Sequence, residues 1–475
     1  MPQSRTSRPV LPQLLPLLLA LAVTARQHRT QERLLTLCLG YLQTLGRHTL
    51  TGVLRSLGRE GRDWSAAYRL FSQARVDLNA GRRILLAAVL ETLGANDPLV
   101  VVLDGTQLAR TSARFPGVGW LRSPRTPVWR PGIHRAQRWV GLSALLPRSA
   151  DGVSRAVPVH VAPAPSPTAR PWPGHPPQRE WEAGLAALGW LRMALDDLGQ
   201  GGRRVLAVAD GSYSVAPLLR ALPVGVSLLA RTTRTRALYA LPPAPVPGQR
   251  GRHRRYGERG PTPEQTLHAR SGWRTIPTWV RGRTLHLRVH TSGPWLVKLA
   301  PNQPILLLVV RGIARERLGR RGMRAPAFLL VTAVPDGTGG WTLPLPVADL
   351  VAWAWQRWEV EVMHRELKSG FGLGQQQAWS PVAAALVIPW VVWLYAALML
   401  SGYLSWGWKP ATRTAAWQRR RRWTVRDVAQ AVQQELWQLP GDRFPPVWAG
   451  IRGDPPEIAL TVWPIAPPAM ANSRL

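Results

Sequence analysis

The sequence predicts an α/β protein with a mixed sheet flanked by helices, a helical N-terminal region and a β-rich insertion. Two short apolar runs, LVVVL at residues 99–103 and VLAVA at residues 205–209, are typical of buried strands, and each is followed by Asp-Gly. Residues 1–97 carry apolar side chains at helical spacing, whereas apolar strand-like runs recur in residues 231–335. These patterns together place the sheet in the middle of the chain.

The charge balance of the chain is strongly basic. Its 475 residues include 61 Lys plus Arg against 26 Asp plus Glu, a formal net charge of +35, and 45% of the residues are hydrophobic. A chain of this length can form two or three domains around a sizeable core. The charge predicts a polyanionic partner, with nucleic acid ahead of an acidic membrane surface. Only three cations are lysines, as in a GC-rich genome, so the preference for Arg carries no functional weight.

Cysteine content and apolar runs bear on the cellular compartment. The single cysteine, Cys38, excludes an internal disulfide framework and a thiolate zinc cluster. Residues 10–23 resemble the apolar part of a signal peptide, but no persuasive cleavage site follows them. Residues 381–400 are long enough to span a bilayer but contain Pro389. We expect a buried core helix there, no membrane association, and a cytoplasmic protein.

Residues 1–97 are predicted to form a helical N-terminal region with a DNA-binding role. Between its two longer apolar segments lie short basic pieces carrying Arg55, Arg59, Arg62 and Arg69. Such a region could grip a duplex, with one helix in a groove as an option. It could equally be a helical cap on the next domain, and the sequence does not separate these alternatives.

Residues 98–230 are predicted to form the first part of the central domain. The two buried strands end at Asp104 and Asp210, and RWVGLSALL and AVPVHVAP predict an antiparallel hairpin with its turn at residues 149–152. A helix is expected over residues 179–198. One strand ending in Asp-Gly is commonly a turn in which Asp satisfies local backbone donors. Two of them in a basic protein make a shared metal site an equal alternative.

Residues 231–335 are predicted to form a β-rich insertion that opens with a basic, Pro-rich arm. Its strands are expected at TLHLRVH, ILLLVVRG and FLLVTAV. The arm would follow a phosphate backbone without reading bases, or it is a solvated linker. The cations of this arm are Arg250, Arg252, Arg254, Arg255 and Arg259.

Residues 336–405 combine a charged helix with the apolar helix, and residues 406–475 form a basic C-terminal helical region and tail. In residues 352–376, AWAWQRWEVEVMHRELKSGFGLGQQ, a helical period puts five polar side chains along one side. They are Arg357, Glu361, His364, Arg365 and Lys368. Further on come a basic QRRRRW run at residues 418–423 and an amphipathic helix with Thr424 as N-cap.

Three carboxylates, Asp104, Asp210 and Glu361, form a candidate metal site. Hard oxygen ligands of this kind can hold two Mg²⁺ ions. Two such ions can activate a nucleophile and stabilise a leaving oxygen in phosphoryl displacement. The sequence contains no phosphate-cradling glycine loop, hydrolase elbow or paired zinc-type histidines to compete with this site. Metal-dependent phosphodiester chemistry is therefore favoured.

The order of these features resembles the DDE transposases of bacterial insertion sequences, of the type with a β-strand insertion between the second Asp and the Glu. In that family the third acid lies in a motif of Tyr, two residues, Arg, three residues, Glu, six residues and Lys. This chain has Arg357, Glu361 and Lys368 at those spacings. The Tyr position holds Ala354, flanked by Trp353 and Trp355, so the aromatic contact to DNA differs here.

The resemblance implies an RNase H-like catalytic domain that binds two Mg²⁺ ions, with Mn²⁺ able to substitute. It implies cut and paste transposition, in which water cleaves at the element's end and the freed 3′-hydroxyl attacks target DNA. Asp104, Asp210 and Glu361 would be catalytic and metal-binding, and Arg357 and Lys368 would hold phosphates. Thr106 and Tyr213 would be weaker candidates for supporting hydrogen bonds. His364 and Arg365 would assist with DNA or lie on the helix surface.

The partners implied are the element's terminal inverted repeats, target DNA and a second copy of the chain, in the bacterial nucleoid. Two alternatives stay open: a catalytically silent DNA-binding derivative of the same fold, and a metal-dependent, structure-selective nuclease. The terminal repeats, the target preference, the cleavage route and the oligomeric state do not follow from the sequence.

Overall fold

A computed structural model describes residues 8–438 apart from 60–62, 124–125, 128, 151, 245–252, 281–282, 312–313, 318–319, 324 and 409–421. Arg62, Arg250, Arg252, Lys409 and residues 418–421 of the basic run therefore lie outside the described residues, as does the Pro-rich tail.

The described chain alternates helical and β-rich segments in the predicted order. The helices are α1 Leu11–Val23, α2 His28–Gln43, α3 Leu50–Ser56, α4 Ser65–Ser72, α5 Leu78–Leu90, α6 Glu180–Asp197, α7 Ala216–Ala221, α8 Pro263–Leu267, α9 Val347–Gln356, α10 Trp358–Arg365, α11 Pro381–Trp406 and α12 Val425–Gln438. The strands are β1 Leu99–Ala109, β2 Val118–Arg122, β3 Ile133–Leu145, β4 Ala156–Pro163, β5 Val205–Ala209, β6 Val226–Arg231, β7 Trp273–Val280, β8 Arg283–Val297, β9 Ala300–Val310, β10 Ala314–Arg317, β11 Arg320–Met323, β12 Ala327–Thr332, β13 Val334–Pro335 and β14 Trp341–Thr342.

A ten-stranded mixed sheet organises the described residues, in the order β2-β3-β1-β5-β6-β12-β9-β8-β7, with β4 pairing β3. Strands β1, β5 and β6 are parallel neighbours, while β3 runs antiparallel to β1 and β4 antiparallel to β3. The predicted hairpin is thus confirmed, and Gly152 N–H donates to Ser149 O in its turn. Helices flank the sheet, which is the predicted RNase H-like α/β architecture.

Strand β1 differs from the prediction, because it does not end at Asp104. Its parallel pairing with β5 stops at Leu103, opposite Ala209, but its antiparallel pairing with β3 continues to Ala109. The apolar run recognised in the sequence is the part buried between two strands. The sequence did not predict residues 104–109 as part of the strand, because they pair with only one neighbouring strand, β3.

The predicted β-rich insertion extends the central sheet. Strand β12 pairs antiparallel with β6, and β9, β8 and β7 follow outward from it. The expected strands TLHLRVH, ILLLVVRG and FLLVTAV lie in β8, β9 and β12. In the arm before them, Arg254, Arg255 and Arg259 are exposed. The strands of this segment share one sheet with β1 and β5. The division of the chain into domains at residues 231 and 335 stays a prediction.

Helix α11 is the apolar helix predicted between residues 381 and 400. It is long and apolar enough to cross a membrane, but 72% of its most apolar window is buried inside the protein. Helices α1, α4 and α5 pack against it from the N-terminal region, and β4 packs against it from the sheet. Its mixed surroundings explain its composition, because a helix buried all round is apolar all round.

The chain termini of the described structure also meet around α11. The carboxylate of Glu435 on α12 accepts hydrogen bonds from the backbone N–H groups of Val10 and Leu11, at 2.8 and 2.7 Å. A carboxylate at this point satisfies donors that a helix start leaves open. Thr424 and Asp427 form the N-terminal cap of α12, as predicted for Thr424. The N-terminal helices and the C-terminal helix thus share one hydrophobic core with the sheet.

Two glycines of α6 offer a matched test of how the Tyr213 ring packs on that helix. A Cβ on Gly184 would lie 2.7 Å from Cε1 of the buried Tyr213 ring, whereas a Cβ on Gly189 meets nothing within 4 Å. We expect Gly184→Ala to lower the free energy of unfolding by about 1–3 kcal/mol through overpacking. Gly189→Ala should raise it by roughly 0.5–1 kcal/mol through helix propensity. Denaturant unfolding followed by circular dichroism measures both, and equal effects would contradict the packing of Tyr213 on α6.

Candidate active site

Asp104 and Asp210 are brought together by the parallel pairing of β1 and β5. Leu103 lies opposite Ala209 in that pairing, so each aspartate is the next residue beyond the last paired position. The register therefore places the two aspartates next to each other where the pairing of β1 with β5 ends, and a metal site shared between them stays a prediction. Neighbouring strands lie about 4.8 Å apart, so two carboxylates placed this way repel each other unless cations intervene.

Asp210 also has a local structural role. Its Oδ1 accepts hydrogen bonds from the backbone N–H and the hydroxyl of Ser212, at 2.8 and 2.6 Å, and caps a 3-10 turn at Gly211–Tyr213. This is the turn interaction that the sequence left open as the alternative to metal binding. The two roles are compatible, because Oδ2 accepts no hydrogen bond from the residues that the structure describes.

The predicted charged helix approaches β1 from the side. Helices α9 and α10 follow each other with Arg357 between them in helical conformation. The Nε2 atom of His364 lies 3.5 Å from Oδ2 of Asp104. Glu361, one turn before His364, is paired with Arg357 through a 2.6 Å contact. The helix thus places the imidazole of His364 beside Asp104 and carries the Arg357–Glu361 pair one turn earlier.

Glu361 and Glu359 have different surroundings, which bears on the choice of the third acid. Both carboxylate oxygens of Glu359 accept hydrogen bonds from Arg422, at 3.0 and 2.9 Å, and its side chain is only 8% exposed. The side chain of Glu361 is 36% exposed. Glu359 is therefore committed to an internal ion pair, while Glu361 faces a surface that a substrate can reach.

A second buried ion pair lies beside the first. Arg155 Nη1 is 3.9 Å from Oε1 of Glu366, whose Oε2 accepts a 2.8 Å hydrogen bond from the Tyr395 hydroxyl. We call Arg155, Glu359, Glu366, Tyr395 and Arg422 the buried charge cluster. It joins the start of β4, helix α10 with the turn that follows it, helix α11 and the segment before α12. Glu359 and Glu366 are seven residues apart and both point into this cluster. Glu361 lies between them in the sequence, so its side chain points to the opposite side of the helix.

The helical period of 3.6 residues, which predicted Lys368 on the same side as Glu361, does not continue through Lys368 in the structure. Residues Glu366–Gly370 form a π-helical turn, with Phe371 N–H donating to Glu366 O at 2.9 Å. A π turn has a wider repeat than 3.6 residues, and such turns are frequent at functional sites. Lys368 is half-buried there, and Arg365 is exposed. Their contact with DNA stays a prediction.

The predicted helix ends at this turn, and the following loop is anchored to the N-terminal region. The hydroxyl of Tyr41 donates to Phe371 O at 2.6 Å, and Gln376 Nε2 donates to His48 O at 3.0 Å. Arg110 at the end of β1 donates to Gly374 O and Gln376 O, at 2.9 and 2.8 Å. Helical periodicity does not reveal these contacts, because they are made to residues hundreds of positions away.

Sequence reasoning missed one acid at this site, Glu180. It is the first residue of α6, is half-buried, and lies against the backbone of Gly105, where an added Cβ would be 3.0 Å from its Cδ. Burial raises the pKa of Glu180, the charge of Arg138 lowers it, and the charges of Asp210 and Asp104 raise it further. The signal available in the sequence was weak, since an acid in the first turn of a helix is common.

Tyr213 lies beneath the same acids. It is fully buried, its hydroxyl makes no hydrogen bond with the described residues, and its pKa is raised by burial and by the charges of Glu180, Asp104 and Asp210. Both ring nitrogens of His364 are also buried without a hydrogen bond. A buried polar atom without a partner costs about 1–3 kcal/mol. These buried polar atoms lie close to Asp104, His364 through Nε2 at 3.5 Å and Tyr213 through the charge that raises its pKa.

The donor set fits a hard divalent cation. Carboxylate oxygens are the ligands that Mg²⁺ and Mn²⁺ prefer, and soft thiolate ligands are absent from the described site. In the described part of the chain, however, no three His, Cys, Asp or Glu side chains are close enough to enclose an ion. Asp104 and Asp210 therefore lie near each other at the end of the β1–β5 pairing without being part of a closed cage of described side chains.

Comparison with known families shows the family to which the chain belongs. A family model described as DDE superfamily endonuclease matches residues 14–290, which is more than half of the chain. The chain belongs to the DDE superfamily endonucleases. The matched residues include Asp104 and Asp210, whereas Glu361 lies beyond them. No curated protein matches the sequence.

Membership of the DDE superfamily gives this α/β fold a nuclease or transposase type of activity on DNA. Endonucleases of this superfamily generally use divalent metal ions, which agrees with the oxygen-rich donor set. The resemblance to DDE transposases is confirmed at this level, while the family match does not test the type with a β-strand insertion.

The buried charge cluster provides a test of how the catalytic helix is held. Arg422→Ala leaves the carboxylate of Glu359 buried without its cation, so we expect a loss of about 2 kcal/mol in the free energy of unfolding. Arg365→Ala removes an exposed arginine of the same helix and should change stability by less than about 0.5 kcal/mol. Thermal and denaturant unfolding give both values. Equal stability of the two variants would show that the Glu359–Arg422 pair does not hold the helix.

Proposed function

We propose that this protein is a DNA transposase that cleaves the ends of an insertion sequence and joins them to target DNA by a cut and paste route. The observation that carries the proposal is the register of β1 and β5, which sets Asp104 beside Asp210, with the helix bearing Glu361 and His364 against Asp104. Family membership supports the nuclease part of this proposal. The resemblance of the Arg357, Glu361 and Lys368 spacing supports the transposase part.

Asp104, Asp210 and Glu361 would hold two Mg²⁺ ions, for which Mn²⁺ can substitute. When bound, the ions would supply Lewis acid activation of the attacking and leaving oxygens. Within the chain, Nε2 of His364 lies 3.5 Å from the carboxylate of Asp104, and Arg357 binds Glu361 at 2.6 Å. Arg357 and Lys368 add positive charge where a phosphodiester would lie, which offsets the repulsion between DNA and the acids. Arg365, being exposed, would contact phosphates further along the strand.

The proposed partners are the element's terminal inverted repeats, target DNA and a second copy of the chain bridging two ends. The proposed location is the bacterial cytoplasm, on the nucleoid. The net charge of +35 supports a large polyanionic partner.

Cleavage can be tested with the whole chain and a plasmid carrying the inverted repeats that flank its gene. We expect nicking and joined target products with Mg²⁺ or Mn²⁺, and none with EDTA. Glu361→Gln, Asp104→Asn and Asp210→Asn should each lower the nicking rate by roughly two orders of magnitude or more, because a lost ligand removes several kcal/mol of transition-state stabilisation. Glu91→Gln, at an exposed position after α5, is the matched control and should nick like the unchanged chain.

The products separate the competing functions. Specific binding of the repeats without any cleavage would identify a silent DNA-binding derivative. Nicked DNA without joined products, on branched substrates in preference to the repeats, would identify a structure-selective nuclease. Full activity of Glu361→Gln would show that the third acid is another residue.

A groove beside residues 376–380, which follow the helix of Glu361, supports a DNA-binding role for the N-terminal region. Its volume is about 940 Å³, and it lies between helices α2 to α4 and the residues leading into α11. It combines exposed cations with aromatic rings, a combination that suits phosphate contacts and base stacking. Its lining includes Arg47, His48, Arg55, Tyr68, Phe71 and Trp379.

The salt dependence of DNA binding tests this groove. Arg55 is exposed and lines it, so Arg55→Ala should weaken binding of the repeats and reduce the slope of log affinity against log salt by about 1. Arg220→Ala, an exposed arginine of α7, is the control. Fluorescence anisotropy over a salt series measures both slopes. If Arg55→Ala and Arg220→Ala are equal, DNA does not contact the groove at Arg55.

A further inference from the structure

We propose that one face of the β2–β3 hairpin binds unpaired nucleotides of a DNA strand that continues past the acids. We call Trp120, Arg122, Ile133 and Arg135 on that face the hairpin patch. The inference deepens the proposed function and rests on it, because the strand is the one that the acids would cleave.

Strand register places the hairpin patch on the same face of the sheet as Asp104. Asp104 lies opposite Gly141 in the pairing of β1 with β3, and Trp120 lies opposite Arg135 in the pairing of β2 with β3. Paired residues share a face, and side chains an even number of positions apart along a strand also share one. Gly141 and Arg135 are six positions apart on β3, so Arg135 and Trp120 lie on the face of Asp104.

The same register gives the distance between the hairpin patch and the acids. Six residues of an antiparallel strand span about 20 Å. They lead from Gly141 to Arg135 in the direction in which β1 runs on from Asp104, and past Ala136, which lies opposite the last residue of β1. Stacked nucleotides rise by about 3.4 Å each, so about six of them reach from the acids to the hairpin patch.

The face that carries the hairpin patch is open, whereas the other face of the hairpin is packed. Trp120 is 57% exposed, and Ile133 is also exposed. On the other face, a Cβ added to Gly119 would lie 3.1 Å from Ser166 Oγ and 3.2 Å from Ala169 Cα. The residues around 166–169 thus support the hairpin from behind, and its exposed apolar side chains lie on one side.

The chemistry of the hairpin patch suits nucleotides. The guanidinium carbon of Arg135 lies 4.8 Å from the centroid of the Trp120 ring. A cation over an aromatic ring is attracted to it, so Arg135 restrains the plane of the indole. A base can stack on the opposite side of that ring, and the guanidinium groups of Arg135 and the exposed Arg122 can bind the phosphates beside it.

Charge favours nucleic acid over a second copy of the chain as the occupant. Residues 105–150 contain eight arginines and no aspartate or glutamate. Two copies meeting through so basic a surface would repel each other, whereas a polyanion is attracted to it. At the tip of the hairpin, Trp129 and Arg130 repeat the combination of an exposed indole and an exposed cation. A duplex keeps its bases stacked on one another, so exposed indoles favour an unpaired stretch.

The experiment measures the affinity of the full chain for a duplex carrying the terminal repeat, by fluorescence anisotropy in EDTA. The duplex is blunt or carries unpaired nucleotides past the element's end, on each strand in turn. An extension of ten nucleotides on one of the strands should tighten binding about tenfold. An extension of two nucleotides is too short to reach the hairpin patch and should bind like the blunt duplex. Ten nucleotides without bases should lose most of the gain.

Substitutions of Trp120 test whether its ring produces this gain. Trp120→Ala should abolish the gain and leave the affinity for the blunt duplex within about twofold. Trp120→Phe keeps a ring and should retain most of the gain, which separates stacking from a folding defect. The matched control is Met193→Ala, an apolar side chain that is 59% exposed on α6. It should bind every duplex like the unchanged chain.

The outcomes separate the inference from the proposed function. If the blunt duplex binds but the extension adds nothing, or if Trp120→Ala keeps the full gain, the inference is wrong and the proposed function stands. An equal gain from the extension without bases also overturns it, because phosphates alone would then be bound. If Trp120→Ala alters the oligomeric state without DNA and keeps the gain, the hairpin patch is an interface between copies instead. Failure to bind the repeat in any form contradicts the proposed function itself.

Discussion

The parallel pairing of β1 and β5 is the constraint on which the site depends. It sets Leu103 opposite Ala209, so the next residue on each strand is an aspartate. A shift of one residue in either strand would turn one aspartate to the other face of the sheet. The apolar side chains of both strands fix the register, because they are fully buried between the helical layers. Burial of these apolar residues therefore holds two like charges together at the sheet edge.

The orientation of the helix that carries Glu361 depends on the ion pairs made by Glu359 and Glu366. Helix α10 carries two acids two residues apart, which must point in different directions. Arg422 binds Glu359 through both oxygens, and Arg155 lies near Glu366 in the next turn. A buried glutamate without its arginine would be strongly unfavourable. The cluster thus restrains the rotation of the helix, on which His364 lies 3.5 Å from Asp104 and Glu361 pairs with Arg357.

The sequence was sufficient for the parts of the fold that follow local patterns. Buried strands, the hairpin of β3 and β4, the apolar helix α11 and the cap at Thr424 all carry local signals, and the structure has them at the expected places. The two aspartates were found because each follows a short apolar run, although only β5 ends before its aspartate and β1 continues through Asp104.

The contributions that were missed come from long-range contacts. Glu180 contacts Gly105 from 75 positions further along the chain, and no pattern in either segment marks that contact. The π turn at Glu366–Gly370 shifts the helical register at Lys368, and it contacts α12, which is more than fifty residues further along the chain. The continuation of β1 beyond Asp104 depends on β3, whose partner positions are set by the whole sheet.

The anchored loop after the catalytic helix connects the proposed DNA groove with the acids. Residues 371–376 are hydrogen-bonded to Tyr41 and His48 on one side and to Arg110 of the β1 end on the other. The groove is lined by Tyr41, His48 and Gln376 from these same contacts. A phosphate backbone held in the groove would therefore lie against residues that position both β1 and the helix of Glu361. Residues 371–376 therefore link the N-terminal region to the end of β1, and the proposed binding of DNA in the groove would act on the segment that also contacts the strand of Asp104.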